Sequence, residues 1–240
     1  MFASAKKMAT LPPNVRVALY KNNSDGKGNS YGTHENYLVD RALPFADLAR
    51  WITTFLVTRQ IFTGAGKVGS ETGGPTPFQL TQRADFFEAE IGLETTLKRP
   101  IVNTRDEPHA DPDRYRRLHV IVGDANLCEV ATFLKIGTTA LVLRMLEDDS
   151  TVLRDLTLES PIRAIREISV DVTGRRPIRL ASGREMSALD IQSHMVEEAL
   201  AFRDAHGLPD EEAAALRLWV ETLDDISTGN DRITRRIDWA

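Results

Sequence analysis

Apolar residues recur along this chain at two distinct periods, and the changes between them divide it into elements. Phe45, Leu48, Trp51, Ile52 and Phe55 follow helical spacing behind Pro44 and predict a helix running to about residue 60. Leu127, Ala131, Leu134, Thr138, Leu141 and Met145 make a single apolar stripe on a second helix. Ser160-Pro161 opens a short helix. Ser187 is placed to cap another that carries Ile191, Met195, Ala199 and Phe202 on one side, and Pro209-Asp210 begins a last one with Ala213, Leu216, Val220 and Leu223. Strands are predicted over 15–20, from near Tyr31, and over 61–68, 78–87, 100–103 and 118–122, with a hairpin around 178–184. Polar, glycine-punctuated stretches at 21–29 and 69–77 read as loops, as does the charged segment 104–116. Mixed strands come first and helices mostly last, which favours an α+β fold over alternating βαβ units.

Composition narrows the class without choosing a function. The 240 residues carry 30 Lys+Arg against 35 Asp+Glu, a net charge of -5, and 42% are hydrophobic. Such a chain buries enough surface for one core or two small ones. Cys128 is the only cysteine, which excludes an intramolecular disulfide and any multi-cysteine metal site, and fits a reducing compartment. No apolar run approaches the ~18 residues of a membrane span, and the first ten residues lack the order of a secretory signal, so a cytoplasmic location with no membrane partner is expected. Net acidity argues against general nucleic-acid binding, although the basic run 114–117 could meet a single phosphate-bearing ligand.

Several stretches carry residues capable of chemistry. Gly64-Ala65-Gly66-Lys67 falls short of a phosphate loop, because Ile61 and Val68 stand where that pattern needs glycine and Ser or Thr. His34 and Asn36, two apart in an extended segment, project from one face, away from Thr33, Glu35 and Tyr37. Arg117 and His119 repeat the arrangement, with Leu118 and Val120 turned the other way. A guanidinium and an imidazole projecting together suit a metal-bound polyphosphate; a solvated sheet face with hydrogen-bonded histidines is the plainer alternative. Arg83 falls on a polar face with Gln79, Thr81 and Asp85, either open to water or lining a cleft. Segment 103–111 gathers Arg105, His109 and three acids, as an exposed salt-bridged loop or as the wall of an active site.

At YKNNSDGKGNSYGTHENYL, FQLTQRADFFEAEIGLETTLKR and IVNTRDEPHADPDRYRRLHVIVGDANL, the chain resembles the family containing the ligase and the deamidase/depupylase of the prokaryotic ubiquitin-like protein, Pup. The resemblance implies a fold of the glutamine synthetase and carboxylate-amine ligase type: a curved, largely antiparallel sheet cradle, backed by helices, that binds ATP and Mg²⁺. It matches His34 and His119 to metal-site histidines, Asn36 and Arg117 to ATP contacts, and Arg83 and Arg105 to arginines that hold phosphate or the carboxylates of Pup. It assigns no role to His109. It also implies members about twice this length, with a Glu-x-Glu strand, a catalytic aspartate and a small last domain. By this measure the chain is the central part of one catalytic domain, incomplete at both ends. Residues 1–126 make a sheet-rich portion and 127–240 a mainly helical one.

The segment beginning at Phe86 is similar to the depupylase branch, whereas the stretch RDLTLESPIRAIREISVDVTGRRPIRLASGRE is similar to the ligase branch. The expected activity is therefore ATP-dependent hydrolysis of the side-chain amide of Pup's C-terminal glutamine, or of the isopeptide bond in pupylated proteins. Isopeptide formation through a glutamyl phosphate is the alternative. A third reading is a truncated, non-catalytic Pup-binding fragment that awaits a complementary segment.

Overall fold

Between Phe45 and Thr58 nearly every side chain from Leu48 onward is buried, so the first helix is covered on all sides. In the computed structural model of the protein, which describes residues 10, 12, 15, 20–71, 75, 78–94, 98–148 and 153–240, this helix, α1 (Phe45–Thr58), is the centre of the molecule. It packs against strand β5 (Arg99–Asn103) on one side and against α3 (Glu129–Asp148), α4 (Pro161–Ser169) and α5 (Ala188–His206) on the others. Both the sheet-rich and the helical portions therefore contribute to one continuous apolar core.

The main sheet has four strands in the order β1-β6-β5-β4, where β1 is Glu35–Asp40, β4 is Phe87–Gly92 and β6 is Tyr115–Val120. The β1/β6 and β6/β5 pairs are antiparallel and the β5/β4 pair is parallel. Period-two alternation turns Val39, Leu118, Val120 and Val102 inward, all 0% exposed, and leaves the opposite face of β1 open. Two small antiparallel pairs complete the strands among the described residues: β2 (Lys67–Val68) with β3 (Phe78–Gln79), and β7 (Pro177–Arg179) with β8 (Glu185–Ser187).

Local sequence rules account for the helical ends. Ser187 caps α5 by accepting from the Asp190 amide at 3.1 Å while Asp190 accepts from the Ser187 amide at 3.1 Å, a reciprocal capping box. Pro161 occupies the first turn of α4, where its missing N–H costs nothing. The last helix, α6 (Asp210–Thr228), buries Ala215, Leu216, Trp219, Thr222 and Leu223. Val220, expected inside, is 36% exposed, because the apolar stripe centres on Trp219.

Two predicted strands are corrected. Residues 61–63 continue the helical path beyond Arg59 as α2 (Gln60–Thr63), because Ile61 and Phe62 are wanted by the core at helical spacing from Val57 and Thr58. The long strand predicted over 78–87 is broken after Gln79. The Leu80 amide donates to the carbonyl of Ser169, and the Asp124 carboxylate takes the Gln82 amide and the Thr81 hydroxyl. With its ladder groups claimed elsewhere, the chain makes a 3₁₀ turn over Ala84–Phe86 before entering β4. The strand expected over 15–20 lies largely outside the described residues.

Candidate functional site

The open face of β1 and β6 carries the residues singled out by sequence. The register places Asn36 opposite His119 and Leu38 opposite Arg117, so all four project from the same face. His34 stands one residue before β1, held there because the Thr33 amide donates to the Gly123 carbonyl at 3.0 Å and its hydroxyl to the Asp124 carbonyl at 2.9 Å. The two imidazoles meet: His34 Nδ1 is 3.1 Å from His119 Nε2.

Behind this face lies an ion pair that sequence reasoning missed. Glu35, flanked in the chain by His34 and Asn36, points inward and receives both terminal nitrogens of Arg59, with side-chain exposures of 0% and 1%. Tyr37 Oη donates to the same carboxylate at 2.6 Å, and burial with the Glu35 charge pushes this phenol well above its usual range. Burial pulls the Arg59 guanidinium down, but Glu35 outweighs it and holds the cation above its ordinary value. The signal available in sequence was the alternation that buries position 35; its partner lies on another element.

Segment 121–126 is a second unread feature. The Asp124 carboxylate is buried and accepts from the amides of Ala65 and Gln82 and from Thr81 Oγ1 at 2.8–2.9 Å; burial raises its pKa. Lys135 donates to its carbonyl, and burial lowers that ammonium to about 8. Asn23 clips the 21–30 loop to the same segment through two bonds with Ala125.

Arg83 and Arg105 have different placements. Arg83 is 2% exposed, with its guanidinium donating to the carbonyls of Ile121 and Gly123 and its Nε to Ser30 Oγ at 3.0 Å. The polar face expected to meet water or a cleft is thus interior, and Arg83 braces the loop that delivers His34. A Cβ on Gly32, whose φ is +126°, would stand 2.3 Å from Arg83, so glycine is what lets the two meet. Arg105 is exposed, its amide bound to Asn103 Oδ1 at 2.9 Å, and its charge reaches both imidazoles. Arg99, not singled out by sequence, acts on His34 as well.

Burial and nearby cations shift both imidazoles toward the neutral form. Burial, then Arg83, Arg105 and Arg99, lower His34; burial, then His34, Arg117 and Arg105, bring His119 down to about 4. An unprotonated nitrogen is what a metal ion requires of an imidazole ligand. Two cis donors about 2.1 Å from an octahedral ion lie roughly 3 Å apart, which matches the imidazole pair. His119 Nδ1 is buried without a hydrogen-bond partner among the described residues. Among the described residues no three His, Cys, Asp or Glu side chains cluster as a complete ligand set. A hard cation here would draw its remaining ligands from oxygen atoms of other origin.

Next to the imidazoles opens a cleft of about 420 Å³, lined by Asn36, Tyr37, Leu38, Arg117 and the Pro108-His109-Ala110 corner. Its size falls in the range of small-molecule sites. Arg117 Nη2 pairs with Glu107 at 2.8 Å, which ties the 104–114 loop to the floor.

All 240 residues match the family described as Pup-ligase protein. The chain belongs to that family. A depupylase of Acidothermus cellulolyticus is 51% identical over 100% of this chain and 48% of its own length. A Pup–protein ligase of Kineococcus radiotolerans is 52% identical over 93% of this chain and 49% of its own. Among solved structures, the Pup ligase PafA in complex with ADP superposes with a TM-score of 0.82 at 40% identity, over 99% of this chain and 53% of that one. PafA in complex with Pup gives 0.80 at 42% identity, over 91% and 45%. The α+β ligase-type fold expected from the resemblance is borne out, and the chain spans about half the length of the relatives it matches. Among the described residues no helix is long and apolar enough to cross a membrane.

Proposed function

We propose that this chain carries the nucleotide- and metal-facing part of a Pup deamidase/depupylase, acting on the side-chain amide of Pup's C-terminal glutamine or on the isopeptide bond of pupylated proteins. The observation that carries the reading is the shared face of β1 and β6, where His34, Asn36, His119 and Arg117 converge beside one cleft. ATP is the proposed nucleotide, with Asn36 and Arg117 as its contacts, in keeping with the ADP complex of the superposed ligase. His34 and His119 would hold Mg²⁺, which would supply charge neutralisation at the phosphates. Arg105, exposed beside them, would meet phosphate or substrate carboxylates, while Arg83 acts by bracing the His34 loop.

Ligation of Pup to protein lysines is the second reading, favoured by the 52% identical Pup–protein ligase and by both superposed structures. The test is binding, then turnover. Arg117→Ala should weaken ADP binding at least tenfold in calorimetry, and unchanged affinity would remove the nucleotide assignment. Ammonia release from Pup ending in glutamine supports the hydrolase, whereas ATP-dependent conjugation of Pup ending in glutamate supports the ligase. Pup binding with neither activity would make the chain a Pup-binding module.

A further inference from the structure

The corner at Pro108-His109-Ala110 is held more firmly than an exposed connection requires. Asp106 accepts from Arg41 Nη1 at 2.8 Å and from the Arg117 amide at 3.2 Å, and Glu107 pairs with Arg117. On the far side, Asp111 accepts from the amides of Asp113 and Tyr115, each at 3.0 Å. Between these anchors Pro108 fixes its own φ. His109 is then carried at φ +49°, one of two non-glycine residues with positive φ among the described ones. That conformation is uncommon for a residue with a Cβ, although histidine is among the residues enriched in it.

The floor beneath the corner is graded. Along β1 the rows step from His34 to Asn36 with His119, and then to Leu38 with Arg117, each about 7 Å beyond the last. The first two rows hold nitrogen donors and ligands; the third holds Leu38, an apolar side chain 53% exposed at the bottom of the cleft. Pro108, His109 and Ala110 line the same cleft, and Arg117 bounds it. An exposed leucine, a guanidinium plane and an imidazole around one opening form the lining that an aromatic heterocycle takes, with its polar tail directed to the histidine end.

We propose that His109 caps the base of the bound nucleotide, holding it between the loop corner and the Leu38–Arg117 row. This rests on the nucleotide reading above and assigns its orientation: phosphates toward the imidazole pair, base under His109. His109 is a binding residue here, with no part in proton transfer.

The experiment compares ADP with inorganic pyrophosphate, each with Mg²⁺, by calorimetry on the 240-residue chain. His109→Asn removes the ring and keeps a side chain tolerant of positive φ. It should bind ADP about tenfold more weakly, equivalent to about 1.4 kcal/mol, and pyrophosphate within twofold of wild type. His109→Tyr, which restores a ring, should recover ADP affinity to within about threefold. Unchanged ADP affinity in His109→Asn overturns the proposal, and so does an equal loss for both ligands, which would mark a role in loop structure. If Arg117→Ala loses ADP while His109→Asn does not, the base cap fails and the nucleotide site stands. If the wild-type chain binds neither ligand, both readings fall together.

Discussion

Arg59→Met tests how the candidate site is held, because it removes one charge from a pair that water does not reach. Glu35 and Arg59 are 0% and 1% exposed, and Arg59 also donates to Thr139 Oγ1. Methionine keeps the stem that runs past Phe55 but leaves the Glu35 carboxylate, among the described residues, with the Tyr37 hydroxyl as its hydrogen-bond partner and with the more distant Lys135 and Arg83 charges. Losing one member of such a pair costs about 3–5 kcal/mol, because the other charge stays desolvated. Against a total of about 5–15 kcal/mol for a domain, that is roughly a fifth of the stability or more. Glu35→Leu should cost a similar amount, since it strands the guanidinium instead. The double variant should recover most of the loss, because replacing both charges removes the desolvation cost together with the attraction. Urea unfolding is the assay: midpoints should fall for each single variant with the slope unchanged. A loss under about 1 kcal/mol for Arg59→Met, or single losses that simply add in the double variant, would refute this account of the pair.

Three further outcomes follow from the packing. Trp219→Ala should cost about 3–5 kcal/mol in the same assay, since the indole is 0% exposed and packs edge-on to Phe55 at 5.8 Å, joining α6 to the central helix. Gly64→Ala should lower stability by about 2–3 kcal/mol despite its ordinary φ, because the added Cβ would lie 2.1 Å from the Leu80 carbonyl oxygen; an unchanged urea midpoint would show that the two segments separate at no cost. Lys135 gives a pH dependence with a definite sign. Its pKa falls from 10.5 to about 8 on folding, so between those values the unfolded chain binds more protons and stability rises with pH. From pH 8 to 10 the wild type should gain on the order of 2 kcal/mol relative to Lys135→Met, and a flat difference would show that the ammonium is not desolvated.

The open face of β1 and β6 illustrates how far alternation carries an argument. Period two places His34 with Asn36, and Arg117 with His119, and the structure keeps both pairs on the open face. It does not say that the two strands are neighbours, nor that the register sets Asn36 against His119 and brings the imidazoles to 3.1 Å. Arg83 shows the opposite limit: alternation put it on a polar face, yet its guanidinium is taken up by the Ile121 and Gly123 carbonyls. Those acceptors lie some 40 residues away, beyond the reach of any local rule. Asp124 breaks the predicted 78–87 strand in the same way, capturing amide and hydroxyl groups that a strand would have left to its neighbours.

Local chemistry settled what depends on near neighbours in the chain. The Ser187 capping box, proline at the start of α4, the stripe of α3 from Ala131 to Met145, though not Leu127, which is exposed ahead of the helix, and the inward turn of alternate strand residues all arise from backbone periods and from donors left over at helix ends. The Glu35–Arg59 pair, the parallel docking of β4 on β5, the burial of Trp219 and the meeting of residues 108–110 with Leu38 around one cleft were settled by folding. Each joins groups from different elements, and desolvation and close packing act on distance in space, which a linear order of residues does not contain.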